Sequence, residues 1–298
     1  MSLRGVERRS NLPDLTTNLY EMQSEQNLIW RSPEEIVEIA FQHSLIVMMN
    51  EAHSGLKRCI RTREIGQRIL PVAHQAGVRH LAMEALNARC AEQANYSRIV
   101  PDYKAGYLSQ PEMRSFIQIA LDLGWTLVPY EAKPLLWLAA KYGFPVPDPD
   151  DPREIANHVP LHQADLLSQE YTNWREEQQV LNIIDALAAL PANSPILGWC
   201  GNNHHAKEGG DGWLPMGYQF RRHSGIDPFV IDQGITVKFN PSDDFFDTEL
   251  IEPFAEELAK FGGTAGLLME EIPSTFDRFA LQTRSEDALL ISTQNELE

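Results

Sequence analysis

Three short segments of this chain gather the residue types that acid–base or metal chemistry requires. Glu51 and His53 fall in Asn50-Glu51-Ala52-His53, Glu84 closes Leu81-Ala82-Met83-Glu84, and His204 and His205 follow Gly201-Asn202-Asn203. A carboxylate beside an imidazole raises its basicity and fixes its orientation, which suits a general base. Glu51, His53, Glu84 and His204 also make a plausible donor set for a divalent cation such as Mn²⁺, Zn²⁺ or Co²⁺. The residues by themselves leave the metal-free and metal-assisted readings open. Adjacent histidines point different ways, so one of His204 and His205 is expected to be central. Asn203, His205, Tyr130, Glu131 and Arg61 are the further candidates for holding a ligand.

The elements that must position these residues are legible from pattern. Ser32-Pro33-Glu34-Glu35 is a capping box with proline at the first helical position, and the helix it opens should end near His43. Leu45 to Met49 is apolar on both faces, as a buried parallel strand is. A helix over 59–76, a strand from Val78 to Met83, a helix opened by Ser109-Gln110-Pro111-Glu112 and a strand from Trp125 to Tyr130 repeat the alternation. A long helix is expected over 162–190, then strands at 195–200 and 229–231, an amphipathic helix at 252–261 and an apolar run from Ala288 to Ile291. Such alternation predicts an α/β fold: a mostly parallel open sheet with helices on both faces. Ligands of such sheets sit beyond the carboxyl ends of the strands, where Glu51, His53, Glu84, Glu131, His204 and His205 all fall. That convergence carries more weight than any one motif.

The organisation expected is an arm at 1–30, an α/β domain at 31–240 and a segment at 241–298 packing on the same domain. The Pro/Asp-rich stretch 143–160 reads as a surface excursion, an insertion or a lid boundary. A net charge of −17 disfavours nucleic acid and anionic membranes as partners, because both are bound by clustered Lys and Arg. The basic N-terminal stretch has no apolar run behind it, and no stretch approaches the length of a membrane span. Three cysteines without paired spacing fit a reducing compartment. These features predict a soluble, cytoplasmic protein and leave small molecules and peptides as substrate classes.

Several other residues invite simpler readings. Cys200, at the end of an apolar strand, is expected to be a buried inert thiol rather than a nucleophile. Arg58, Arg61, Arg63 and Arg68 read as a solvated helix face from which one could reach the rim as an anion clamp. Trp137, Trp199 and Trp213 read as core, as do Met48, Met49 and Met83.

The same motifs resemble a superfamily that groups erythromycin esterases, haem-binding ChaN-like lipoproteins and the Tiki and TraB proteins. Its members share a Gly-Glu-x-His type motif after the first strand, a Glu after the second and a later Gly-x-x-His. The resemblance spans roughly 30–235, and Trp174-Arg175-Glu176-Glu177 looks like the Arg-bearing helix before the last motif. It implies Glu51, His53, Glu84 and His204 as the polar site, with Arg175 as a supporting charge. Esterase-like members imply water activated by histidine against an ester carbonyl. Tiki-like members imply a divalent metal at the same positions, and ChaN-like members imply haem, for which Tyr130 and Tyr103 are candidate axial donors alongside the histidines. Asn50 departs from the pattern, standing where glycine is usual and placing a side chain at the approach to the site. The expectation drawn is a hydrolase of ester, lactone or peptide bonds, with haem binding and an inactive scaffold as rivals.

Overall fold

The computed structural model describes residues 28–51, 60–84, 86–102, 107–146, 148–201, 204–233, 254–273 and 285–292. His53, Cys59, Tyr103 and Asn203 lie outside the described residues. Seven strands form one sheet: β1 (Ile46–Glu51), β2 (His80–Met83), β3 (Thr126–Pro129), β4 (Ile196–Gly201), β5 (Phe229–Asp232), β6 (Thr264–Leu268) and β7 (Ala288–Ser292). Their order is β3-β2-β4-β1-β5-β7-β6. All described pairings are parallel except that of β6 with β7. The expected α/β architecture is the one observed.

Helices α1 (Pro33–His43), α2 (Ile60–Gln75), α3 (Ala88–Ser97) and α4 (Pro111–Asp122) precede β3. The capping box of α1 is complete, with Ser32 Oγ accepting the Glu35 N–H and the Glu35 carboxylate accepting the Ser32 N–H at 2.7 Å. Next come α5 (Pro134–Tyr142), α6 (Pro152–His158), α7 (Gln163–Leu166) and α8 (Gln169–Ala188). The single helix expected over 162–190 is therefore broken. Ser168 is extended and accepts the Tyr171 N–H on its Oγ, so a cap starts a new helix where apolar periodicity suggested continuity. Helices α9 (Met216–Ser224) and α10 (Ala255–Lys260) complete the described set.

Strand alternation divides the core in two. Val47, Met49, Leu81, Leu197 and Trp199 pack against α1, α2 and α4. Ile46, Met48, Ala82, Ile196 and Val230 pack against Val180 and Ile183 of α8 and Met216 and Phe220 of α9. The stretch 143–160 contributes α6, capped by Asp151, and lies on the surface. Beyond residue 240, β7 pairs with β5 and β6 with β7, so the C-terminal segment extends the sheet. Among the described residues no helix is long and apolar enough to cross a membrane.

Candidate functional site at the strand ends

The ends of β2, β4 and β1 lie side by side, with Met83 level with Trp199 and Gly201 level with Glu51. The pleat then separates the two carboxylates. Glu51 continues the Val47–Met49 face toward α2, whereas Glu84 continues from Ala82 toward α8. Glu84 receives the Gly201 N–H on Oε2 at 2.6 Å and the Arg175 guanidinium on Oε1. Arg175, from the first half of α8, also donates Nε to Glu131 Oε1 at 2.9 Å and Nη2 to Glu131 Oε2 at 2.5 Å. Gln179, one turn on, donates to Glu131 at 3.0 Å.

His204 lies against this cluster. Its Nδ1 is 2.5 Å from Oε1 of Glu176, a fully buried carboxylate whose other oxygen accepts the Met216 N–H at 2.8 Å. Its Nε2 lies 3.5 Å from Arg175 Nη1 and 3.8 Å from Glu84. Burial pulls the His204 pKa down, but the charges of Glu84 and Glu176 outweigh it and raise the pKa above the ordinary imidazole value. Glu131 is raised because burial outweighs the neighbouring Arg175 charge. Burial opposes the charge on Arg175, and Glu131 and Glu84 more than compensate, so the guanidinium stays charged.

Beside the cluster is a cavity of about 410 Å³ whose lining includes Glu84, Leu86, Glu131, Lys133, Asp150 and Ile155. Asp150 and Ile155 belong to the Pro/Asp-rich excursion, which thus forms one wall and is tied down by the Lys133–Asp150 ion pair at 2.5 Å.

The other candidates are placed elsewhere. Both Glu51 oxygens accept from Arg63, at 3.0 and 3.1 Å, and this pair is sealed from solvent. Arg63 is therefore a core residue, not part of a solvated helix face. Its helix tilts that side inward, and Glu51 supplies the countercharge that burial demands. Arg61 lies on the first turn of α2, 3.8 Å from Glu64. The Tyr130 hydroxyl donates to the Trp199 carbonyl at 2.9 Å inside the core, a poor position for a ligand or a haem axial donor. Asn50 does not narrow the approach to His204. Its side chain turns to β5, donating to Asp232 at 2.6 Å and accepting the Gln233 N–H at 2.8 Å. His205 is buried, with a ring nitrogen close to carboxylate oxygens of Asp232 and Glu286. Cys200 is buried, and burial first, then the surrounding carboxylates, raise its pKa well above the ordinary thiol value. Trp199 and Trp137 are core, and Trp213 is half-buried.

Glu176 is the principal residue that pattern reading passed over. The signal was present: Glu176 falls in register with Val180 and Ile183 on the buried stripe of α8, a carboxylate where an apolar side chain belongs. Gln179 was missed in the same way.

Two of the described donors that a Tiki-like metal would use, Glu51 and Glu84, are already engaged by guanidinium groups. Glu51 is clamped by Arg63, Glu84 by Arg175 and the Gly201 N–H, and the two carboxylates point to opposite faces of the sheet. A cation at the rim would have to displace guanidinium groups from both.

No family model matches this chain, and no curated protein matches it in sequence. Among solved structures, a protein from Bacillus cereus superposes with a TM-score of 0.51 at 10% identity, covering 93% of this chain and 97% of that one. A toxin effector domain from Vibrio vulnificus, RRSP, matches with a TM-score of 0.41 at 10% identity over 67% of this chain. This chain spans 35% of that toxin structure. The type III effector HopBA1 matches at 0.39 and 13% identity, over 74% of this chain and 94% of that one. The likeness to the Bacillus cereus protein is one of fold.

Proposed function

We propose that the rim at Glu84, His204 and Arg175 is a hydrolytic site for a carbonyl-centred bond, in the manner of the erythromycin esterase, ChaN-like and Tiki-TraB superfamily. The observation that carries this is the pairing of His204 Nδ1 with buried Glu176 at 2.5 Å, which leaves Nε2 beside Arg175 Nη1. A carboxylate on one ring nitrogen fixes the tautomer that presents a lone pair on the other. His204 then accepts the proton of a water molecule as its oxygen bonds to the carbonyl carbon. Arg175 Nη1, the guanidinium nitrogen not engaged by Glu131 or Glu84, stabilises the oxygen that becomes negative. His204 returns the proton to the leaving group as the bond to the carbonyl breaks. Glu84 and Glu131 hold the guanidinium in place, and the cavity beside them accepts a small ester, lactone or peptide.

The test is hydrolysis of a panel of aryl esters, lactones and short peptides by wild type and His204→Gln. A loss of about 10²–10⁴-fold in kcat is expected for the variant. Undiminished activity in His204→Gln would sink the assignment, and no turnover by wild type across the panel would favour a non-catalytic scaffold. His53→Ala, assayed alongside, reports whether the first motif shares in the chemistry, as the superfamily resemblance implies.

A further inference from the structure

One buried cluster is not used by the rim. His205 is 1% exposed, and neither of its ring nitrogens has a hydrogen-bond partner among the described residues. An imidazole in that state loses its hydration without compensation, which native cores rarely tolerate. Its surroundings are chemically specific. One ring nitrogen of His205, one carboxylate oxygen of Asp232 and one of Glu286 all lie within 4.8 Å of one another. Asp232 ends β5, and Glu286 stands two residues before β7.

The ammonium of Lys207 is engaged by Asp227 at 3.2 Å and by Asp287 at 2.8 Å. Asn50 donates to Asp232 at 2.6 Å. Burial pushes the His205 pKa down to about 4, so the ring is neutral and able to coordinate. Two carboxyl groups and one neutral imidazole therefore converge, and burial together with the Asp232 and Asp287 charges pushes the Glu286 pKa up to about 7.

We propose that His205, Asp232 and Glu286 bind a divalent first-row cation, Zn²⁺ or Mn²⁺, that pins the His204–His205 turn to β5 and the start of β7. One nitrogen and two carboxylate oxygens are ligands that both ions accept at about 2.0–2.2 Å. Donor atoms on such an ion lie roughly 3–4.4 Å apart, so small side-chain adjustments close the site. Glu286 also lines a cavity of about 470 Å³ shared with Lys207 and Asp287, which gives the ion and a completing water a route from solvent. The imidazole is held ready by its backbone. Gly217 N–H donates to the His204 carbonyl at 2.9 Å, and a Cβ at Gly217 would come within 2.0 Å of the His205 carbonyl oxygen. Only glycine lets α9 press this closely on the turn. The ion would thus fix from behind the turn whose other histidine faces the rim.

The experiment is calorimetric titration of Zn²⁺ and Mn²⁺ into chelator-stripped full-length protein, comparing wild type with Glu286→Gln, Asp232→Asn and His204→Gln. One ion per chain is expected in wild type, with affinity lowered roughly 100-fold or more in Glu286→Gln and Asp232→Asn. His204→Gln should retain binding, and metal should raise the Tm of wild type but not of Glu286→Gln. Glu286→Gln is nearly isosteric at a half-buried position, so its folding, checked by circular dichroism, keeps the comparison valid. The proposal is overturned by the absence of stoichiometric binding in wild type, or by unchanged affinity in Glu286→Gln. It is overturned equally by binding that is lost in His204→Gln and kept in Glu286→Gln, which would place the ion at the rim. Hydrolysis is read separately, so failure of the metal site leaves the rim assignment standing.

Discussion

Two glutamate–arginine pairs stand at the ends of β1 and β2, on either side of β4, and differ in their surroundings. Glu51–Arg63 lies on the α2 face with both side chains fully excluded from solvent. Glu84–Arg175 lies on the α8 face, where the guanidinium keeps 23% of its side-chain surface exposed and the carboxylate opens on a cavity. In the first pair the remaining Arg63 nitrogen is given to Gln110. The second is shared among Glu84, Glu131 and His204. The same pairing is sealed from solvent in one place and borders a cavity in the other. What separates them is the direction in which the pleat sends each side chain.

That contrast can be broken most forcefully at the sealed pair. Arg63→Met removes the bidentate donor of a buried carboxylate and should cost roughly 3–5 kcal/mol of stability. Arg175→Met, at the partly solvated pair, should cost only about 1–3 kcal/mol while abolishing hydrolysis. Urea unfolding of both variants measures the difference, and a larger loss at Arg175 would invert the comparison.

A subtler probe is the pH profile. His204 acts as a base only when neutral, and its pKa is raised, so the activity limb should rise with pH at a position above the ordinary imidazole value near 6.5. Burial alone would lower that pKa, and the carboxylates of Glu84 and Glu176 reverse it. Removing one of those charges in Glu176→Gln should therefore move the limb toward lower pH and reduce kcat, as the kcat–pH curves of the two proteins would show. An unmoved limb would mean that Glu176 does not act through His204. The smallest effect belongs to an exposed pair of the same type: Arg68 donates to Glu34 at 2.9 and 3.0 Å. Arg68→Ala should cost no more than about 1 kcal/mol and leave activity unchanged, since solvent screens such pairs. A loss as large as that of Arg63→Met would show that burial is not what distinguishes them.

Much of the architecture is local information. The capping box at Ser32, the apolar runs of β1 and β4 and the glycine that closes α4 each act within a few residues, so helix–strand alternation and the parallel sheet follow from pattern. The break at Ser168 was harder to see, because a single serine cap interrupts a segment whose apolar spacing continues on both sides.

The sequence by itself also determined which residues reach the carboxyl ends of the strands, because the ends of apolar runs mark where polar side chains can begin. Period-two alternation even contains the split between Glu51 and Glu84 once the strands' inner faces are known. Tertiary structure alone decided which helix covers each face, and so which arginine meets which glutamate. It also decided that Glu176, in the buried stripe of α8, meets His204, and that the neighbouring His205 turns toward Asp232 and Glu286. These partners lie 28, 27 and 81 residues away in the chain, and no local propensity encodes such meetings. They are set by packing of whole elements, where the cost of a buried, unpaired charge selects the arrangement that pairs it.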